Sequence, residues 1–125
     1  VSDDKPAKPE PKQLSATDIL AAQDLEILAV DVPEWNGSVN LRVLPADEGL
    51  ALNEELQDLQ KAKNPADAIF LLLGACMVDT AGKRLFSTKE SVQSLKSRSI
   101  KVLLRLQKIA LQLQGWEDEA PAKNG

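Results

Sequence analysis

The chain has 125 residues, 43% hydrophobic and 27% charged, which suits one globular domain of ordinary size. It has no histidine and a single cysteine, so histidine-based acid–base catalysis, His/Cys zinc sites and intrachain disulfides are excluded. Fifteen bases against nineteen acids leave a net charge of −4, the wrong sign for a phosphate-backbone binder, and two Trp and two Phe are a poor supply for base stacking.

Residues 1–13 are rich in Pro, Lys and acids, with one valine as the only large apolar side chain, and they read as a disordered tail. Ser15 followed by Asp18 resembles a capping box that opens a short helix to about Gln23. From Leu25 to Leu44 the pattern alternates, and Asn36-Gly37 predicts a two-residue type I′ hairpin turn. That turn sets Val32 opposite Leu41, Val30 opposite Val43 and Asp31 opposite Arg42. Trp35 then shares the Asp31/Arg42 face and is expected to be exposed.

Pro45 with Asp47 and Glu48 opens a helix whose Leu52, Leu56 and Leu59 recur at helical spacing to about Lys63. Asn64-Pro65-Ala66-Asp67 restarts a helix, and its body, Ala68 to Val78, is apolar on every side and belongs at the centre of the domain. That run is eleven residues, against the roughly 20 a membrane span needs. Asp79 to Gly82 reads as a turn, and Ser87-Thr88-Lys89-Glu90 as a capping box for a short helix to about Lys96. Ser97 or Ser99 starts the last helix, which ends at Gly115. The fold expected is α+β: a mostly helical single domain, 14–116, with one N-terminal β-hairpin at about 25–44, about five helices, and a flexible tail at 117–125.

No nucleotide-binding or nucleophile motif is present. Cys76 sits in the apolar helix with no base within five positions and reads as a packing residue. Glu54, Glu55 and Asp58 read as a solvated helix face rather than a cation site. No cofactor or metal is expected.

Charge is unevenly laid out. Residues 15–63 hold ten acids and three bases, a net of −7, whereas 83–108 hold one acid and eight bases, a net of +7. The two can neutralise each other within the fold or meet between subunits. In the last helix Lys101, Arg105, Lys108 and Gln112 form one narrow polar stripe, and the rest is apolar. The apolar arc is about twice the 100° a one-sided helix needs, so the helix is either wedged between elements or part of it awaits a partner. Trp116, just past the helix, is either a core plug or an interface anchor. Trp35, Lys101, Arg105, Lys108 and Trp116 are therefore the candidate partner-binding residues.

Several segments together carry a resemblance. They are Val32-Pro33-Glu34-Trp35-Asn36-Gly37, Leu41-Arg42-Val43-Leu44, Ala46-Asp47-Glu48, Val78-Asp79-Thr80-Ala81-Gly82-Lys83-Arg84-Leu85-Phe86 and the closing helix from Leu104 to Gly115. In their order, and in the V-P-E-W-x-G and D-x-x-G-x-x-L-F patterns, they resemble the small tail assembly chaperones of long-tailed bacteriophages over residues 25–116. The resemblance implies a non-enzymatic protein of the host cell cytoplasm that binds the tape measure protein and helps recruit tail tube protein; the charge layout adds the expectation of self-association, and composition that of no nucleic-acid or membrane partner. The alternative in the same setting is a structural tail or head–tail connector subunit that stays in the virion.

Overall fold

The computed structural model describes residues 12–63 and 66–117. The tails expected at both ends fall outside these, residues 12, 13 and 117 apart, as does the Asn64-Pro65 helix start. The elements run α1 (Ala16–Ala21), β1 (Ile27–Val32), a single 3-10 turn (Pro33–Trp35), β2 (Gly37–Arg42), α2 (Ala46–Lys61), α3 (Ala66–Cys76), β3 (Met77–Val78), α4 (Lys89–Gln93), a 3-10 turn (Ser94–Ser97) and α5 (Ile100–Leu113). The fold is the expected α+β one, with the N-terminal hairpin and, among the described residues, five helices.

The hairpin forms with a different register. Val32 faces Gly37, Val30 faces Val39 and Leu28 faces Leu41. Pro33 to Trp35 wind into one 3-10 turn, and Asn36 alone takes the left-handed conformation, at φ 58°. A loop with a single left-handed residue needs no glycine at the next position, and Gly37 begins β2 without a positive φ. The slip is four residues, an even number, so each side chain keeps its face. Val30, Val32, Val39 and Leu41 still point inward. The expected Asp31–Arg42 pair is lost, because Asp31 faces Ser38 and Arg42 faces Ile27.

A third strand was not expected. The apolar run stops being helical at Cys76, and Met77-Val78 pair antiparallel with Leu41 and Asn40 in the sheet order β1-β2-β3. A short apolar run has no periodicity that separates buried strand from buried helix. Beyond it, Asp79 Oδ1 accepts hydrogen bonds from the backbone N–H groups of Ala81 (2.8 Å) and Lys83 (3.0 Å), which holds its carboxyl below the usual range. Gly82 supplies the positive φ this tight loop requires, at 84°. The chain then returns beside β3, with the Leu85 N–H donating to the Met77 carbonyl.

The core lies between this sheet and the helices. Helix α3 packs against α2, α4, α5 and β2, and Leu72, Leu73 and Cys76 are buried along it. Helix α5 is wedged against α3 and β2 through Val102, Leu103, Leu106 and Ala110. Its C-terminus closes in two reverse bonds, Gly115 N–H to the Gln112 carbonyl and Trp116 N–H to the Leu111 carbonyl, with Gly115 at φ 78°. Helix α4 starts one residue later than expected: Thr88 and Ser91 form the reciprocal cap, with Ser91 rather than Glu90 as its far member.

Candidate functional site

Helix α3 runs straight into a strand, so it has no room for a glycine cap, and its last carbonyls need other donors. Two arginines supply them. Arg42 Nε donates to the Ala75 carbonyl at 3.0 Å, and Arg84 Nε donates to the Gly74 carbonyl at 2.8 Å. Both cations also sit at the negative end of the helix dipole. Arg42 continues to Glu48 of α2 at 2.7 Å, and Arg84 to the Phe86 carbonyl at 3.1 Å. The Gln114 amide joins the end of α5 to β2: its oxygen accepts from the Leu44 N–H at 2.9 Å, and its nitrogen donates to the Arg42 carbonyl at 2.7 Å. Reading the sequence missed all three side chains. For the two arginines the signal available was a helix with no C-terminal glycine, whose carbonyls had to be met from elsewhere; no local signal pointed to Gln114.

The two arginine links hold α2, α3 and the 84–93 segment around an open trough of about 900 Å³. Its lining includes the apolar residues Leu52, Leu59, Phe70, Leu71, Ala75 and Val92. Acids from α2 and the start of α3, Glu48, Glu55, Asp58 and Asp67, stand among the lining, as do Arg84 and Lys89 from the returning segment. The volume is comparable to about two turns of an α-helix treated as a cylinder about 10 Å across. An apolar trough rimmed by charge suits an amphipathic helix, whose apolar face enters while its polar face stays wet. Among the described residues no group of three or more His, Cys, Asp or Glu is placed to hold a metal ion, and no helix is long and apolar enough to cross a membrane.

The five candidates from the sequence do not form one cluster. Trp35 is half-buried and packs on the core, which corrects its expected exposure: it ends the 3-10 turn instead of standing on a strand face. Arg105 is engaged within the fold by Glu34, at 2.7 and 3.0 Å. Lys101 and Lys108 are exposed on α5. Trp116 lies past the other end of that helix, roughly 20 Å from Lys101 by helical rise, and is 39% exposed beside Gly49 of α2. Of the wide apolar arc of α5, most is wedged into the core, and Ile100 and Leu104 remain exposed.

Cys76 is buried, and that burial pushes its thiol up to about 11, against the pull of Arg42 and Arg84. A thiol in this setting is a poor nucleophile.

No family model matches the chain, and no curated protein does. Among solved structures it is similar to the tail assembly chaperone of bacteriophage HK97. The two are 26% identical, with a TM-score of 0.54, and the match covers 83% of this chain and 94% of that one. The similarity relates the chain to a phage tail protein and supports a general role in phage tail morphogenesis.

Proposed function

We propose that the protein is a phage tail assembly chaperone that binds helical segments of the tape measure protein in the trough between α2 and the 84–93 segment. In doing so it keeps that long apolar rod from aggregating and helps recruit tail tube protein to it in the host cell cytoplasm. The observation that carries this reading is the trough itself, apolar within and charged at the rim, on a fold similar to the HK97 chaperone. The chemistry supports a binding role and offers little for catalysis: the one thiol is buried and shifted away from reactivity, and there is no histidine.

Quantitative mass spectrometry of infected cells and of purified mature particles tests the assignment. A chaperone is abundant in the lysate and absent from the virion. A fixed copy number in mature particles would instead make the chain a structural tail or connector subunit.

A further inference from the structure

From Leu14 to Leu41 the chain carries five acids, Asp18, Asp24, Glu26, Asp31 and Glu34, and no base. Two of the carboxylates are engaged: Asp18 by the Ser15 N–H and Lys12, and Glu34 by Arg105. Asp24, Glu26 and Asp31 are exposed, and their carboxylates make no hydrogen bond or ion pair among the described residues. The first two precede β1, and Asp31 stands on it.

The two edges of the sheet are treated differently. Beyond β3 the chain folds back and closes its own edge: Val78 bridges to Arg84, and the Leu85 N–H donates to the Met77 carbonyl. Nothing comparable covers β1, and the helix before it, α1, buries no residue. The Val43 N–H donates to the Glu26 carbonyl, and the pairing of β1 with β2 runs on from there without a bulge. Bonded and non-bonded pairs alternate in an antiparallel ladder, so Leu28, Val30 and Val32 turn their backbone groups to β2. Ile27, Ala29 and Asp31 therefore aim their N–H and C=O groups outward, where no described residue meets them. The inner face is unfinished at the same place. Leu28 is 43% exposed, although Leu41 across the ladder from it is fully buried.

Native sheets blunt an open edge with lysine, proline or a bulge, and β1 has none of these. Its surroundings are purely acidic, which repels an acidic strand and favours a basic one. We propose that β1 is a docking edge for an extended, basic segment of a partner protein, which joins the three-stranded sheet as a further strand. The backbone of that segment pairs with Ile27, Ala29 and Asp31, and an apolar side chain covers Leu28. Basic side chains meet Asp31 and, past the start of the strand, Glu26 and Asp24. Main-chain bonds supply the affinity, and the acids select the sign of the partner's charge. No residue of β1 lines the trough, so this is a second site, and it takes a strand where the trough takes a helix.

The test uses the purified full chain and a synthetic peptide that alternates valine with lysine. Its controls are the same peptide with glutamate for lysine, and the basic peptide N-methylated at every second residue in each of the two phases. The basic peptide should bind, and amide exchange followed by NMR should slow at Ile27, Ala29 and Asp31. The acidic peptide should bind at least tenfold more weakly. One N-methylated phase should bind and the other fail, because only one side of an added strand faces β1. Ala29→Pro removes an outward N–H and leaves the bonds of Leu28 and Val30 to β2 in place, so it should weaken binding at least tenfold with circular dichroism unchanged. Glu26→Lys with Asp31→Lys, both at exposed positions, should turn the preference toward the acidic peptide. Failure of the basic peptide to bind would overturn the proposal, as would equal binding of the two N-methylated phases or binding without protection of those three amides. So would protection of the same amides in the chain alone that deepens with concentration, since a second copy would then hold the edge. The readout needs no tape measure protein, so its failure is distinct from failure of the trough reading.

Discussion

Glu34 and Arg105 are seventy-one positions apart and share two hydrogen bonds, of 2.7 and 3.0 Å, that tie the hairpin turn to the middle of α5. The paired guanidinium holds the Glu34 carboxyl down at about 2, against an ordinary 4.5. A carboxylate depressed by folding stabilises the fold fully above its unfolded pKa, and that contribution fades as pH falls from about 4.5 toward 2. Urea unfolding as a function of pH should show this loss in the wild type and a shallower slope in Glu34→Gln. Because both groups are exposed, high salt should narrow the difference.

Gly74 is where α4 reaches α3. A Cβ at this position would lie 2.7 Å from Val92 Cγ2, a distance no real contact tolerates. Gly74→Ala should therefore destabilise by about 1–3 kcal/mol in spite of alanine's better helix propensity. Adding Val92→Ala should recover part of the loss. A double-mutant cycle by denaturant unfolding reads the coupling directly.

Arg42→Met should leave the Ala75 carbonyl without its side-chain donor and break the link to Glu48. The expected loss is about 1–3 kcal/mol, and Arg84→Met should behave alike at the Gly74 carbonyl. Substituting lysine should restore charge at the helix end but not the directed Nε hydrogen bond, so it should rescue only in part. Thermal and urea unfolding of the methionine and lysine variants at both positions check this.

Cys76 should resist thiol reagents at pH 8 in the native protein and react promptly once the chain is unfolded. Its thiol is buried and its pKa stands at about 11 rather than 9. Labelling kinetics with and without urea give the readout, and fast native labelling would mean that the α3 C-terminus opens readily.

Several capping residues were legible because they act locally, Ser99 as one of two starts offered for the last helix, whereas the cap of α4 lies at Thr88 and Ser91 rather than Ser87 and Glu90. Ser15 with Asp18, Ser99 and Gly115 each terminate a helix through bonds to neighbours three to five positions away. The inward faces of the hairpin were legible because alternation survives an even slip. The register was not: Asn36-Gly37 suits a type I′ turn, but Pro33 and Trp35 favour a wider one, since Pro33 is preset for the 3-10 turn and Trp35 gains a place on the core. The side chains that tie the elements together over long range were also hidden. Arg42, Arg84 and Gln114 each serve backbone groups at least ten positions away, and no local pattern announces such a partner. The V-P-E-W-x-G and D-x-x-G-x-x-L-F segments turn out to do structural work: they form the 3-10 turn with its Glu34 staple, and the Asp79 loop that returns the chain to β3.

Helical surface offered to a partner is the centre of this account, and co-expression with the tape measure protein of the same phage measures it most directly. The soluble fraction of tape measure protein should rise several-fold with the wild-type chain. It should fall back with Ala51→Glu, which sets a charge on an exposed position of the trough without disturbing the core. Equal solubility with the wild type, with Ala51→Glu and with no added chain would contradict the account.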